Sequence, residues 1–170
     1  MPAPPCLHIA LIHPEIPQNT GNIGRLCVGI HARLHLVRPL GFSLDAKAVR
    51  RSGIDHWRKV DLQVHEDLEA FLAWAAGRRL HTLTSHAPHT LSQASFEHGD
   101  VLVFGRESTG LPDPLRHGPR CWRIPIPGPI RSLNLSNAVA VTAYRALECI
   151  QPGLFQGSAL PLEAPEPGVH

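Results

Sequence analysis

Apolar residues come in short runs along this chain, separated by polar stretches of helical length. The runs fall at residues 7–13, 34–37, 60–64, 80–84, 101–104 and 121–126. Each is bounded by turn-forming residues and predicts a strand. The intervening segments 19–30, 43–52, 66–76, 112–116 (a short one) and 132–150 predict helices. Six strands alternating with helices predict an α/β fold whose sheet is mostly parallel, six-stranded and covered by helices on both faces. Ligands on open sheets of this kind bind beyond the carboxyl ends of the strands, and the unusual polar residues fall there. No internal repeat is present. The last stretch, QPGLFQGSALPLEAPEPGVH, is rich in Pro and Gly. The expected organisation is therefore one domain over residues 1–152 and a flexible tail over 153–170.

Three polar clusters follow strand ends. In PEIPQNTGNIGRLC, Pro17 holds the loop, Asn19 or Thr20 can cap the following helix, and Gly21 and Gly24 allow a close approach of backbone or ligand. Arg25 is expected about one and a half turns into that helix, where it reads either as an incidental surface arginine or as part of an anion site. In VLVFGRESTGLP, Glu107 sits in a turn framed by Gly105 and Gly110. It reads as a surface charge, or as a carboxylate that holds a ribose hydroxyl or a cation. In IPIPGPIRSLNLSN, a stiff loop with few free N–H donors leads to Ser132, Asn134, Ser136 and Asn137. Ser132 or Asn134 can cap the last helix; capping needs one such side chain, so the others point to a further role.

Composition narrows the partners. Net charge is only +2 over 170 residues, but residues 1–60 hold eight Lys and Arg against three Asp and Glu, and residues 61–100 hold two against six. Residues 101–150 are basic again, with six against three, and fourteen of the sixteen basic residues are arginine, the side chain suited to bidentate phosphate contacts. The basic segments flank the polar clusters, which favours an anionic partner such as nucleic acid. No apolar run approaches a membrane span, and MPAPPCLHIALIH lacks the features of a signal peptide, so a cytoplasmic setting is expected. Cys6, Cys27, Cys121 and Cys149 form no CxxC pair and read as thiols. The pairs His31/His35 and His86/His89 lack a third ligand at an obvious spacing, so no metal is expected. GxxxxGK[ST], GxGxxG, HExxH and GxSxG are all missing, which disfavours P-loop, dinucleotide, zinc-protease and serine-hydrolase chemistry.

Taken in order, PEIPQNTGNIGRLC, LHLVRPLGF, FGRESTGLP and RIPIPG…RSLNLSNAVAV resemble the motifs of the SPOUT (trefoil-knot) RNA methyltransferases. Within them the likeness is greatest to the branch that methylates the wobble ribose of tRNA, and it runs over residues 7–150. The resemblance implies S-adenosylmethionine as methyl donor, tRNA as substrate, a homodimer, and a C-terminal knot through which the last helix passes. Ordinary topology rules predict an unknotted sheet, so the knot is implied by the resemblance alone. By motif position, Asn19, Arg25, Glu107, Ser132 and Asn134 would be catalytic. Leu83, Gly105, Ile124, Ser132 and Leu133 would bind the cofactor. Arg25, with Arg50, Arg51, His56 and Trp57 from the basic segment, would meet RNA; His56 and Trp57 read equally as a packing cluster. The chain departs from the pattern at Val28-Gly29-Ile30-His31, where altered packing at the helix end is expected.

Methyl transfer from a sulfonium to a ribose hydroxyl is an in-line displacement in which positioning carries much of the rate. Guanidinium groups are hardly ever deprotonated, so Arg25 is expected to grip a phosphate or stabilise the developing alkoxide, not to act as the base. Two rivals remain at this point: methylation of another tRNA position or of rRNA, and a non-catalytic RNA-binding protein on the same scaffold.

Overall fold

The computed structural model describes residues 4–44 and 56–157. Seven strands form one sheet within them: β1 (His8–Ile12), β2 (Arg33–Val37), β3 (Leu62–His65), β4 (Leu80–Leu83), β5 (His89–Thr90), β6 (Val101–Phe104) and β7 (Cys121–Arg123). Their order is β3-β2-β1-β6-β4-β7-β5, and every neighbouring pair is parallel. The helices are α1 (Pro17–Gly29), α2 (Leu68–Ala75), α3 (Asp113–Arg116) and α4 (Leu135–Ile150).

Alternation along the central strands builds two cores. Ile9, Leu11, Leu34, Leu36, Leu102 and Phe104 face α1 and α4, where they meet Ile23, Cys27, Val139, Ala143, Ala146 and Leu147. The intervening Ala10, Ile12, Val37, Val101 and Val103 face Phe71 and Ala75 of α2 and Leu111 and Leu115 by α3. A fully buried Leu, Ile or Phe side chain is worth about 1.5–3 kcal/mol, more than a typical hydrogen bond. A one-residue slip of β1 or β6 would exchange the two sets, so these side chains fix the register.

Several expectations change in detail. The sheet has seven strands, not six. The added β5 is two residues long, follows Pro88, and pairs with β7 through His89 and Thr90. β7 stops at Arg123, because Pro125 and Pro127 cannot donate to a ladder. The first helix begins at Pro17, so Asn19 and Thr20 lie inside it as buried residues and neither is its cap. Arg25 is accordingly more than two turns in. The last helix begins at Leu135, not Ser132, with Asn134 as cap. The helix expected at 43–52, with Arg50 and Arg51, falls largely outside the described residues. At the other end, Pro152–Phe155 forms a short 3-10 turn, and Phe155 meets Tyr144 of α4 edge-on at 6.4 Å. Among the described residues no helix is long and apolar enough to cross a membrane.

Candidate active site

Three loops meet above the carboxyl ends of β1, β6 and β7. The β6–α3 loop closes on itself through two backbone hydrogen bonds between Arg106 and Gly110, at 3.2 and 2.9 Å. Gly110 has φ 73°, and a Cβ on Gly105 would overlap the backbone of Gly110 and Leu111, so both positions need glycine. This tight loop presents Glu107 to the start of α1. Glu107 Oε2 accepts from the Glu15 backbone N–H at 2.8 Å; Oε1 accepts from the Ile16 N–H at 3.1 Å and from Asn19 Nδ2 at 3.0 Å. Ile16, the residue that opens α1, has no side chain able to cap it. The capping oxygen arrives instead from a residue ninety-one positions away.

The third loop completes a polar chain. Asn134 Oδ1 accepts from the Ser136 N–H at 2.9 Å and from Ser136 Oγ at 2.7 Å, capping α4. With its oxygen so engaged, Asn134 must turn Nδ2 outward, and it donates to Asn19 Oδ1 at 3.0 Å. Asn19 then directs its own Nδ2 to Glu107. Each amide orientation follows from the previous one. Asn19 is 4% exposed, and both ends of its amide are bonded, as a buried polar group requires.

Further ties hold the same two loops together. Glu15 returns the exchange by accepting from the Ser108 N–H and Oγ, both at 2.9 Å, and these bonds hold its carboxyl below the usual range. His13, at φ 54°, stands 2.9 Å from the Arg106 guanidinium. Burial first, then the Arg106 charge, lowers its pKa. Gly41 backs the β1–α1 loop so closely that a Cβ there would come within 2.8 Å of Glu15 Cα. The sequence singled out neither Glu15 nor His13, because their partners lie about ninety residues away.

Asn19, Glu107 and Asn134 are thus joined in one hydrogen-bonded chain, with Gly105 at its base. Ser132 is exposed and outside that chain. Leu83 ends β4 and lies opposite Phe104 and Trp122, while Gly105 and Ile124 follow the neighbouring strands β6 and β7. Leu83, Ile124 and Leu133 are partly exposed, and the first two pack on the α4-side core. Arg25 stands apart. It is exposed on α1, six residues or about 9 Å of helix beyond Asn19, beside a hollow of about 410 Å³ lined with Asn22, Leu26, Gly29, Ile30 and Tyr144. Gly29, inside the departing segment, has nothing near its Cβ position, while Ile30 is buried. Gly24 meets a protein side chain: the Trp57 ring comes within 2.8 Å of where its Cβ would be. Trp57 therefore packs on α1, next to a half-buried His56. No group of three metal-ligating side chains occurs among the described residues.

The sequence profile of the SpoU rRNA Methylase family matches residues 6–144. The chain belongs to the SpoU rRNA methylase family. Among its relatives in this family, a tRNA (cytidine(34)-2'-O)-methyltransferase from Methylovorus glucosotrophus is 48% identical over 141 residues, covering 81% of this chain and 92% of that protein. The enzyme of the same description from Escherichia coli K12 is 44% identical over 143 residues, covering 82% and 91%. A solved structure described as giving structural insights into the 2-OH methylation of C/U34 on tRNA superposes with TM-score 0.81 at 44% identity, covering 86% of this chain and 97% of that one. An AdoMet-bound rRNA methyltransferase from Sinorhizobium meliloti, 25% identical, superposes with TM-score 0.77 over 86% of this chain and 57% of its own. The methylase motifs read from the sequence therefore mark a true SpoU member, on the expected α/β scaffold.

Proposed function

We propose that this SpoU methylase transfers a methyl group from S-adenosylmethionine to the 2'-hydroxyl of the wobble ribose, nucleotide 34, in the tRNA anticodon loop. The observation that carries the reading is the chain Asn134–Asn19–Glu107, which draws three distant loops together beside the strand ends. The relatives named for this activity match the chain over most of their own length.

The residues suit the cofactor. Leu83, Ile124 and Leu133 offer a partly open apolar surface, and Gly105 keeps side-chain bulk away from the neighbouring backbone. An adenosyl group matches that surface, and S-adenosylmethionine held there would supply the sulfonium methyl. Glu107 is committed to three N–H donors, so its role is to set the geometry of the loops and hold Asn19 in place. Ser132, on the same loop as Leu133 and Asn134, presents an exposed hydroxyl for the substrate or cofactor. Arg25 grips a phosphate or the developing alkoxide as a fixed cation. Arg38, Arg58, Lys59 and Arg131 are also exposed and extend the cationic surface for RNA; Arg50 and Arg51 belong to the same reading.

The test offers anticodon stem-loops with labelled S-adenosylmethionine. Label on ribose 34 that disappears with a 2'-deoxy nucleotide there is the expected result. Label confined to rRNA fragments would move the substrate, and RNA binding without cofactor binding would leave a binding module. Arg25→Lys is expected to lower turnover or RNA affinity about tenfold, through loss of the bidentate contact; unchanged values for both would remove Arg25 from the mechanism.

The working form is a homodimer in the cytoplasm. Val141 and Tyr144 on α4, 46% and 52% exposed, continue into exposed Leu154 and Phe155, an apolar face beside the Arg25 hollow. Tyr144→Asp is expected to yield monomers by light scattering, whereas a stable, fully active wild-type monomer would contradict the reading. The knot belongs to the same proposal. It is supported by the route of the chain from β7, between β4 and β5, to α4 packed on α1. An experimental backbone trace with α4 outside every loop would remove it.

A further inference from the structure

A second buried polar chain crosses from β7 through β4 to the start of β6. Trp122 Nε1–H on β7 donates to His81 Nδ1 on β4 at 3.0 Å. Indole nitrogen can only donate, so His81 Nδ1 accepts and its Nε2 carries the hydrogen. That Nε2–H stands 2.9 Å from Asp100 Oδ2, in a contact bent away from good hydrogen-bond geometry. Asp100, just before β6, is held in turn by Arg79 Nε at 2.9 Å and by the Glu97 N–H at 2.8 Å. The His81 and Asp100 side chains are 0% and 2% exposed, and the Phe96 ring covers His81 at 4.5 Å. Burial is the main cause that lowers the His81 pKa, in keeping with a neutral ring.

The placement of this chain gives it a use. In a strand, residues two apart share a face. His81 therefore lies under Leu83, and Trp122 and Ile124 pack on the same α4-side core. The ladder between β4 and β7 is short: Thr82 and Leu83 lie opposite Cys121 and Trp122, and the chain then leaves towards Pro125. The last backbone bond across this seam is Thr84 N–H to the Trp122 carbonyl at 3.0 Å. The indole–imidazole bond adds a side-chain tie to this short ladder, one pleat below Leu83. Packing alone would fill this space with apolar side chains and leave no polar group to satisfy.

We propose that Asp100, His81 and Trp122 hold β4 and β7 at the spacing that receives the adenosyl group beyond their carboxyl ends, which makes His81 and Trp122 positioning residues for the methyl donor. The proposal rests on the reading of Leu83 and Ile124 as cofactor contacts.

Three variants of the full chain test it by calorimetry with S-adenosylmethionine and by steady-state kinetics. His81→Gln can accept from Trp122 and donate to Asp100, so it is expected to keep near-normal affinity. His81→Leu removes both contacts, and Trp122→Phe removes the donor alone. Each is expected to weaken cofactor binding, and to raise its KM, by about fivefold, the worth of one hydrogen bond. At saturating cofactor, kcat and the KM for tRNA should stay within about twofold, a split that a loss of folding would not produce. If His81→Leu does not fold, Trp122→Phe against His81→Gln gives the same comparison. Equal cofactor affinity in all folded variants overturns the proposal, as does a parallel loss of kcat and both KM values. Wild-type protein that binds no S-adenosylmethionine would instead overturn the cofactor reading itself.

Discussion

Glu107→Ala is expected to lower methyl transfer by at least about 100-fold, the scale on which small misplacements of reacting groups are felt. Under the proposed function the carboxylate contributes no group to the chemistry. Its loss leaves the Glu15 and Ile16 N–H groups and the Asn19 amide without their acceptor. Hydrogen bonds to charged groups are worth roughly 1.5–3 kcal/mol each. Because this site is half-buried and water can replace part of the loss, a net cost of about 2–4 kcal/mol is expected. In a chain of this size that lowers Tm by roughly 5–12 °C. Glu107→Gln separates shape from charge. Both oxygens of Glu107 face donors, so a glutamine must point its NH2 at one of them. It should therefore retain little activity while nearly matching the volume. Full turnover in Glu107→Gln, measured with the stem-loop substrate, would show that the three donors do not depend on a carboxylate.

The second large effect is acid sensitivity, and it originates on the opposite face of the sheet. His8, His35 and His65 form a hydrogen-bonded row across β1, β2 and β3, with nitrogen separations of 2.9 and 3.0 Å. Trp74 lies over the row, its ring 4.1 Å from that of His35, and Arg78 stacks on Trp74 at 4.4 Å. Burial, reinforced by Arg78 and Arg33, pushes His8 down to about 4 from 6.5, with Asp61 opposing. Burial, then His8, His65, Arg33 and Arg78, pushes His35 down to about 2. The His65 pKa is lowered by burial too.

In the native chain these rings stay neutral at pH values where the unfolded chain has taken up protons. The unfolded state thus binds more protons below about pH 6.5, and stability falls as pH falls. At pH 5 His8 and His35 should each cost about 2 kcal/mol relative to neutral pH, or about 4 kcal/mol together. The contribution of His8 stops growing near pH 4, where its native ring begins to titrate. Urea denaturation at pH 7 and pH 5 reads this directly, as a drop in the unfolding free energy with an unchanged m-value. Equal stability at the two pH values would mean that the row is already protonated, or reached by water, in the native state.

These two features also show where the sequence is legible. The strands at LHIALIH and VLVF announce themselves because a strand buried on both faces has apolar residues nearly throughout. The glycine-framed turn at Glu107 is legible for a similar local reason: Gly105 and Gly110 answer to backbone contacts within a few residues. The start of α1 is not. Asn19 fits a local cap by residue type, yet the oxygen that serves Ile16 comes from Glu107, and the amide of Asn19 is engaged in tertiary bonds. Spacing along the chain is what a sequence displays, and it offers only the pairs His31/His35 and His86/His89, each without a third ligand. His8, His35 and His65 are about thirty residues apart and become neighbours only through strand register. The seventh strand was hidden for the opposite reason, since a two-residue ladder has no period to detect.

The double duty of Asn134 bears on biosynthesis. Its oxygen starts the last helix and its nitrogen aims Asn19, so the bonded geometry of the three loops waits on one of the later segments to leave the ribosome. A nascent or prematurely ended polypeptide that stops short of it can lay down most of the sheet and still lack an oriented Asn19 amide beside the strand ends. Competence is thereby linked to completion, and a half-made enzyme has no assembled centre to offer the RNA.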